Sequence, residues 1–391
     1  MKLLVIGCGQ CGGRIADEFA RRDKRARTQR NTEIITDALA INTDVADLSG
    51  LTFIKPDHRH RILIGGRKSG GHGVGKINEL GAEIAREEGD RVMESVARAQ
   101  QRSDADAFLL VAGAAGGTGS GAIAELAQQV KERYVDKPVY AIIILPFRYE
   151  EMTEERSIYN VGTCLKSVYL VTDAVFLVDN QRYVTDKDSI RNNMARINAQ
   201  VVEPFYNVLC AGEETDAKFV GSRVLDAGDI IQTLSGWSVI GHGRSVVSRS
   251  RLPFSAKLDF RNWVADTDKG LHAMNQAKST LSLKCRPEDA RRALYLLTAP
   301  PGQMSMDLIT DLSSSLRSIA TEAIIRSGDY PRGKDFLDIS LILSELTNSV
   351  RISDYFSKTL RYIYQRKRKR GEFGDQQDGL EEALRDIPLL L

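Results

Sequence analysis

Residues 107–133 read AFLLVAGAAGGTGSGAIAELAQQVKER. An apolar run of strand character, a glycine-rich stretch and a run with helical spacing follow one another without a break. Glycine is unfavourable inside helices and strands, so a cluster this dense means that something approaches the backbone closely. A tight strand-to-helix turn needs one or two glycines. Gly113, Gly116, Gly117, Gly119 and Gly121 exceed that need. Successive N–H groups in such a loop can converge on an anion, and the N-terminus of the following helix favours phosphate. Thr118 and Ser120 add hydroxyls without bulk. The stretch therefore reads as a loop that holds a phosphate chain, and without a lysine it is not of the Walker type.

The first half of the chain alternates around this stretch. Apolar, β-prone runs lie at 2–7, 38–42, 61–65, 107–112, 139–145 and 174–179, with helical patterns at 13–24, 76–100, 120–134 and 152–171. Strands rich in Val, Ile and Leu with helices between them predict an α/β fold with a Rossmann-like parallel sheet covered on both faces. Ligands of such sheets bind at the carboxyl ends of the strands. Residues 188–210 predict one long central helix despite Pro204. A polar stretch at 211–224 follows. WSVIGHG, SVVSR, LSLKC, ALYLLTA, EAIIRS and FLDISLIL then read as strands, with helices at 256–280 and 305–320. This is a second, smaller C-terminal α/β domain.

Two more glycine loops end strands. In VIGCGQCGGRI, Gly7, Gly9 and Gly12 satisfy G-x-G-x-x-G, the dinucleotide fingerprint. Its acidic partner belongs ~20 residues further on, and here Asp44 comes later, after a basic insertion. In GGRKSGGHGVGKI, Gly70, Gly75 and Lys76 match G-x-x-x-x-G-K, but Ile77 stands where a magnesium-holding hydroxyl belongs. A flexible glycine loop before a helix is the other reading of this segment. Cys8 and Cys11 form a C-x-x-C, and with no further ligands at short spacing they read as small residues of a glycine loop and not as a zinc site.

GAAGGTGSGA resembles the signature loop G-G-G-T-G-[ST]-G of the tubulin/FtsZ superfamily. The other segments fall into place in order. GQCGG at 9–13 resembles the first phosphate loop and is closer to tubulin than to FtsZ. INTD, with Asn42 and Asp44, is similar to the FtsZ loop that approaches magnesium. GGHGVG at 70–75 resembles the loop that senses the terminal phosphate, and LPFRYE at 145–150 the loop that reaches the ribose. The mixture is most similar to CetZ, the archaeal branch between FtsZ and tubulin, over residues 1 to about 350. The resemblance implies that GTP or GDP lies with its phosphates on Gly116, Gly117, Thr118, Gly119, Ser120 and Gly121. Gly9, Gln10, Cys11, Gly12 and Gly13 would close around the same chain with Gly70, Gly71 and Gly73, and Asp44 would stand near Mg2+. It also implies a GTP-binding domain at 1–187, a central helix and connecting loop at 188–225, an activation domain at 226–350, and a C-terminal helix and tail at 351–391.

Guanine presents one acceptor and two donors on its edge, which a side-chain amide can meet. Asn180 ends the last parallel strand and Asn198 lies on the long helix; the family places one Asn on each element against the base. By themselves these residues also suit an Asx-turn and a solvated face. Met194, one helical turn before Asn198, stands where the family often has an aromatic stacking residue, and a thioether still contacts a ring favourably. Glu150 aligns with the ribose-binding glutamate, and Arg156 is the displaced basic residue after it. VLDAGDIIQTLSG at 224–236 resembles the FtsZ loop whose acids enter the pocket of the next subunit. Asp226 and Asp229, at i and i+3, fall on one face of a helical start and could orient water; N-capping is the purely structural reading. The resemblance implies that they complete hydrolysis in trans, which requires a head-to-tail homopolymer.

The bulk composition excludes several classes. The 391 residues carry a net charge of +2, so neither nucleic acid nor an anionic membrane is the expected main partner. No apolar run approaches the ~20 residues of a membrane-spanning helix. Five scattered cysteines fit reduced thiols and a cytoplasmic location. The basic block RKRKR at 366–370 reads as a solvated face, with an indirect membrane link as the alternative. The leading expectation is a cytoskeletal GTPase that controls cell shape. A polymerising GTP-binding protein with little hydrolysis, and an NAD-dependent oxidoreductase built on Gly7, Gly9 and Gly12, are the competing readings.

Overall fold

Strands β1 (Leu3–Cys8), β4 (Ala107–Gly113) and β5 (Val139–Leu145) are almost wholly buried along their length, as expected of strands covered on both faces. With β2 (Ile35–Asn42), β3 (Arg61–Leu63) and β6 (Ala174–Asp179) they form an all-parallel run in the order β3-β2-β1-β4-β5-β6. The structure, a computed structural model, describes residues 1–184, 190–246, 260–333, 335–369 and 385–391. The basic block's last residue and the first five residues of LEEALRDIPLLL lie outside the described residues.

The chain divides into two units. The first, residues 2–25, 35–199 and 349–391, contains the parallel sheet. Its helices are α1 (Gly9–Arg30, which runs on into the second unit), α2 (Val45–Ser49), α3 (Gly66–Ser69), α4 (Asn78–Glu87), α5 (Gly89–Arg102), α6 (Thr118–Arg133), α7 (Arg148–Thr153), α8 (Glu155–Val171), the first half of α9 (Ile190–Ala211) and a C-terminal helix. The order of strands reverses direction between β1 and β4, and a crevice at such a switch point is the usual ligand site of an open α/β sheet. The first and third glycine loops leave the ends of these two strands.

The second unit holds residues 1, 26–34 and 200–348. After the end of α9 come α10 (Ala227–Thr233), β7 (Gly236–Val246), α11 (Phe260–Ser279), β8 (Ala290–Ala299), α12 (Met306–Ile319), β9 (Ile324–Pro331) and β10 (Phe336–Leu346). β10 pairs antiparallel with both β7 and β8, and β8 pairs parallel with β9. WSVIGHG and the start of SVVSR merge into β7. LSLKC, expected as a strand, is irregular: Ser282 exchanges hydrogen bonds with Ile240, its N–H donating to the Ile240 carbonyl at 2.7 Å and its hydroxyl accepting from the Ile240 N–H at 3.1 Å. Leu281 and Leu283 are buried without a ladder. The helix expected at 76–100 divides at Glu88, whose backbone caps α4 and opens α5 beside Gly89.

The C-terminal helix α13 (Val350–Lys369) packs on α8 in the first unit. The two approach so closely that a Cβ on Gly162 would overlap the Thr359 side chain. Residues 385–391 return to the same helix: Leu390 N–H donates to Ser167 Oγ at 2.9 Å, and Ile387 is buried with Tyr159, Leu360 and Ile363.

Candidate functional site

The three glycine loops lock into one another. Gly9 has φ +70°, and a Cβ there would lie 2.8 Å from Gly119 N. A Cβ on Gly119 would lie 2.6 Å from the Cys8 carbonyl oxygen, and one on Gly117 2.6 Å from Val74 Cγ2 and 2.9 Å from Lys76 Cα. Thr43 and Thr118 share a buried hydroxyl–hydroxyl bond of 2.6 Å, which joins the INTD segment to the third loop. Side chains are absent from Gly117 and Gly119 because neighbouring backbone stands there; Gly117 itself has an ordinary right-handed conformation. Gly116 differs: a Cβ there would meet nothing within 4 Å.

Around Gly116 opens a cleft of about 350 Å³, all of it within the first unit. Of the residues expected at the site, Gly9, Gln10, Cys11, Asn42, Asp44, Gly73, Gly116, Gly117, Thr118, Gly119, Glu150, Asn180 and Met194 line it. Gly12, Gly13, Gly70, Gly71, Ser120, Gly121 and Asn198 are not among its lining residues. Gly12 abuts the Val111 carbonyl and Gly121 the Asn78 carbonyl, so both serve strand-to-helix and helix-to-helix packing. The Ser120 hydroxyl donates to the Gly116 carbonyl and is spent on the loop that leads into its own helix. Asn198 is half-buried one turn beyond Met194 on α9.

Asn180 is 6% exposed, and its Oδ1 is buried without a hydrogen-bond partner. The turn after β6 is capped by Asp179 instead, which accepts from Gln181 N–H at 3.0 Å. Asn180 is thus released from the Asx role and offers an orphaned amide oxygen at the cleft, a costly arrangement unless a ligand meets it. Pro146, Phe147 and Leu145 supply an apolar wall, with Phe147 and Tyr149 stacked at 5.7 Å. Glu150 accepts from Phe147 N–H at 2.9 Å, which closes the N-terminus of α7. Its neighbour Glu151 anchors that helix through Arg351 Nη2 and the Tyr355 hydroxyl on α13, each 2.5 Å away. Arg156 turns elsewhere: its Nε donates to the Lys76 carbonyl at 3.0 Å and its guanidinium pairs with Glu79.

Cys11 lines the cleft, and burial pushes its thiol up to about 12, with Glu150 adding to the shift; burial pushes Cys8 up to about 12 as well. Both thiols are neutral near pH 7, as small residues of a glycine loop should be. Among the described residues no cluster of three or more metal-ligating side chains occurs. Asp44 and Asp47 both line the cleft. Asp44 Oδ1 accepts from Asp47 N–H at 3.0 Å, while Asp47 accepts from Gln10 Nε2 at 2.5 Å and Asn42 Nδ2 at 3.1 Å. One or two carboxylates with the remaining ligands from phosphate is a donor set that suits Mg2+.

Three contributors escaped the sequence reading: Asp47, Asn160 and the cleft-facing role of Lys76. Asn160, on α8 and fully buried, donates through Nδ2 to the carbonyls of Lys76 (3.0 Å), Ala115 (3.1 Å) and Gly116 (2.9 Å), binding the second loop to the third. An Asn within a helical run carries no sequence signal for such a task.

The family profile for the tubulin/FtsZ GTPase domain matches residues 2–186, and that for the tubulin-like CetZ C-terminal domain matches residues 187–360. The tubulin-like protein CetZ1 of Haloferax volcanii is 34% identical over 370 residues, covering 90% of each chain. The chain belongs to the CetZ family. Among solved structures it is similar to a GDP-bound monomer of CetZ1 from Haloferax volcanii (TM-score 0.79, 31% identity, 93% of this chain and 99% of that one). It is also similar to a GTPgS-bound protofilament of CetZ2 from the same organism (TM-score 0.80, 27% identity, 94% and 100%). As a CetZ relative the chain carries the GTPase domain of a tubulin-like cytoskeletal family. No helix among the described residues is long and apolar enough to cross a membrane.

Proposed function

We propose that the protein binds GTP and GDP in this cleft, hydrolyses GTP, and assembles head-to-tail into cytoplasmic filaments that control cell shape. The observation that carries the reading is the junction of three interlocked glycine loops, with open positions at Gly75 and Gly116, in the same cleft as the orphaned Asn180 amide. Backbone N–H groups of Gly9–Gly13, Gly70–Gly73 and Gly116–Gly121 hold the phosphates directly or shape the loops that do. Asn180 and Asn198 read the guanine edge, Met194 lies against its face, and Glu150 takes the ribose. Asp44 would hold Mg2+, which when bound would offset charge on the phosphates. The GDP- and GTPgS-bound CetZ relatives support the nucleotide, and the CetZ2 protofilament supports self-assembly.

Hydrolysis is completed by the Asp226 and Asp229 pair of an adjacent subunit. Asp226 caps α10 by accepting from Asp229 N–H at 2.8 Å and is exposed; Asp229 accepts from Arg326 Nε at 3.0 Å. Because both carboxylates already have partners, a second reading, a filament that hydrolyses slowly, has an observation in its favour. Nucleotide released by denaturing the purified protein separates the main reading from its rivals. Guanine nucleotide is expected, with phosphate release on incubation with GTP. Release of NAD would overturn the assignment, and guanine nucleotide without phosphate release would favour the slow filament.

A further inference from the structure

We propose that Lys76 is the residue that discriminates a nucleoside triphosphate from a diphosphate, exchanging its ion pair with Glu154 for one with the terminal phosphate; this rests on the guanine-nucleotide reading above. The charge around the cleft makes the first argument. Asp44, Asp47 and Glu150 line it, and Lys76 is the one cation among its described lining residues. A third phosphate adds negative charge to a site that is already acidic, so a mobile ammonium at the rim has a strong electrostatic task.

The backbone makes the second argument. Lys76 has φ +61°, a conformation that non-glycine residues rarely adopt and that tends to persist at functional sites. Glycine fills this kind of position at 70, 71, 73 and 75 in the same loop, yet position 76 keeps a long cationic side chain. Two side chains of α8 hold it there: Arg156 Nε and Asn160 Nδ2 both donate to its carbonyl at 3.0 Å. Its Cα lies against Gly117, and Asn160 bonds the Gly116 carbonyl as well, so the Lys76 backbone is tied to the phosphate-binding loop itself.

The parking place makes the third. The ammonium pairs with Glu154, and both side chains are more than a third exposed. Exposed pairs of this kind are weak and are given up readily to a better partner. A phosphate oxygen in a partly desolvated cleft is such a partner. The lysine that a phosphate-loop pattern would demand is thus present, although Ile77 rules out the rest of that pattern.

The test compares GTPγS with GDP on dilute full-length protein at fixed magnesium. Lys76→Met should weaken GTPγS by about tenfold or more while GDP changes by less than about twofold. Glu154→Gln frees the ammonium and should move the GTPγS/GDP affinity ratio the opposite way, by about two- to fivefold. The opposite signs separate phosphate binding from a mere structural bridge, which both variants would break alike. A Lys76→Met protein whose two affinities fall together, or do not fall, overturns the assignment while leaving the nucleotide reading intact. Wild-type protein that binds neither nucleotide overturns both.

Discussion

Asn180 and the loop glycines give the sharpest single-position expectations. Asn180→Ala removes the amide that the proposed reading sets against the base edge. It should weaken GTP and GDP together by about 1–3 kcal/mol, roughly tenfold or more, and relax preference against ATP; titration with the three nucleotides reads this directly. The glycines divide by what surrounds them. At Gly119 an added side chain strikes the Cys8 carbonyl, so Gly119→Val should destabilise the fold by about 1–3 kcal/mol. At Gly116 the space is open to the cleft, so Gly116→Val should leave the melting temperature nearly unchanged and abolish nucleotide binding. Thermal unfolding and binding measured on the same two variants distinguish packing from ligand contact. Equal losses of stability in both would refute the division.

Helix α8 and the β2–β3 edge carry predictions of another kind. One end of α8 clamps the second and third glycine loops through Asn160, and its middle meets α13 at Gly162 and Thr359. Gly162→Val would drive α13 off and should lower stability by about 1–3 kcal/mol, a change that unfolding curves would register. At the sheet edge His60 is 5% exposed, with Nδ1 2.7 Å from Asp57 and Nε2 3.2 Å from Asp37. The bond to Asp37 raises its pKa, burial opposes the shift and the bond to Asp57 adds to it. Lys55, near both His60 and Asp37, opposes it as well, while Arg102 lies 3.8 Å from Asp37. Burial pulls Asp37 and Asp57 upward, but the bonds from His60 outweigh it and both end lowered. A raised histidine contributes fully below its unfolded value of about 6.5 and loses that contribution as pH rises through the folded value. The lowered carboxylates contribute above about 3.9. His60→Gln should therefore cost most, about 1–3 kcal/mol, between about pH 4.5 and 6.5, and less at pH 8. Urea unfolding at pH 5.5 and 8 gives the comparison; a cost that grows toward pH 8 would be the wrong sign.

Assembly is where the two acids of α10 must be judged. If each cleft is completed by a neighbour, GTP turnover per subunit should rise with protein concentration from near zero in dilute solution. Asp229→Ala should keep nucleotide binding and lower turnover by ~10²–10⁴, and it should also remove the partner of Arg326 Nε, leaving that side chain held by Gln232. Mixing is the decisive measurement. A Gly116→Val protein, without nucleotide but with its acids, should restore turnover to an Asp229→Ala protein with an intact cleft. Turnover independent of concentration and untouched by Asp229→Ala would place hydrolysis within one subunit and leave α10 a capped helix.

Much of this protein is written in adjacent residues. Unbroken runs of Val, Ile and Leu between helical periods identify the parallel sheet, because side-chain burial on both faces of a strand needs nothing beyond the run itself. Glycine density after β1 and β4 marks the loops for the same local reason; the signature in residues 113–121 points to the tubulin/FtsZ superfamily, and the mixture of the other loops points to CetZ. Tertiary structure alone decided the rest. It made Gly119 a packing position and Gly116 an open one, gave the capping task to Asp179 and left Asn180 Oδ1 without a partner, and set Asn160 across two loops. It also left LSLKC without a ladder and returned α13 to α8 across about half of the chain. Each outcome depends on which atoms meet over tens to hundreds of residues. Spacing and composition record the preferences of neighbours along the chain, and these contacts form only when separate elements pack.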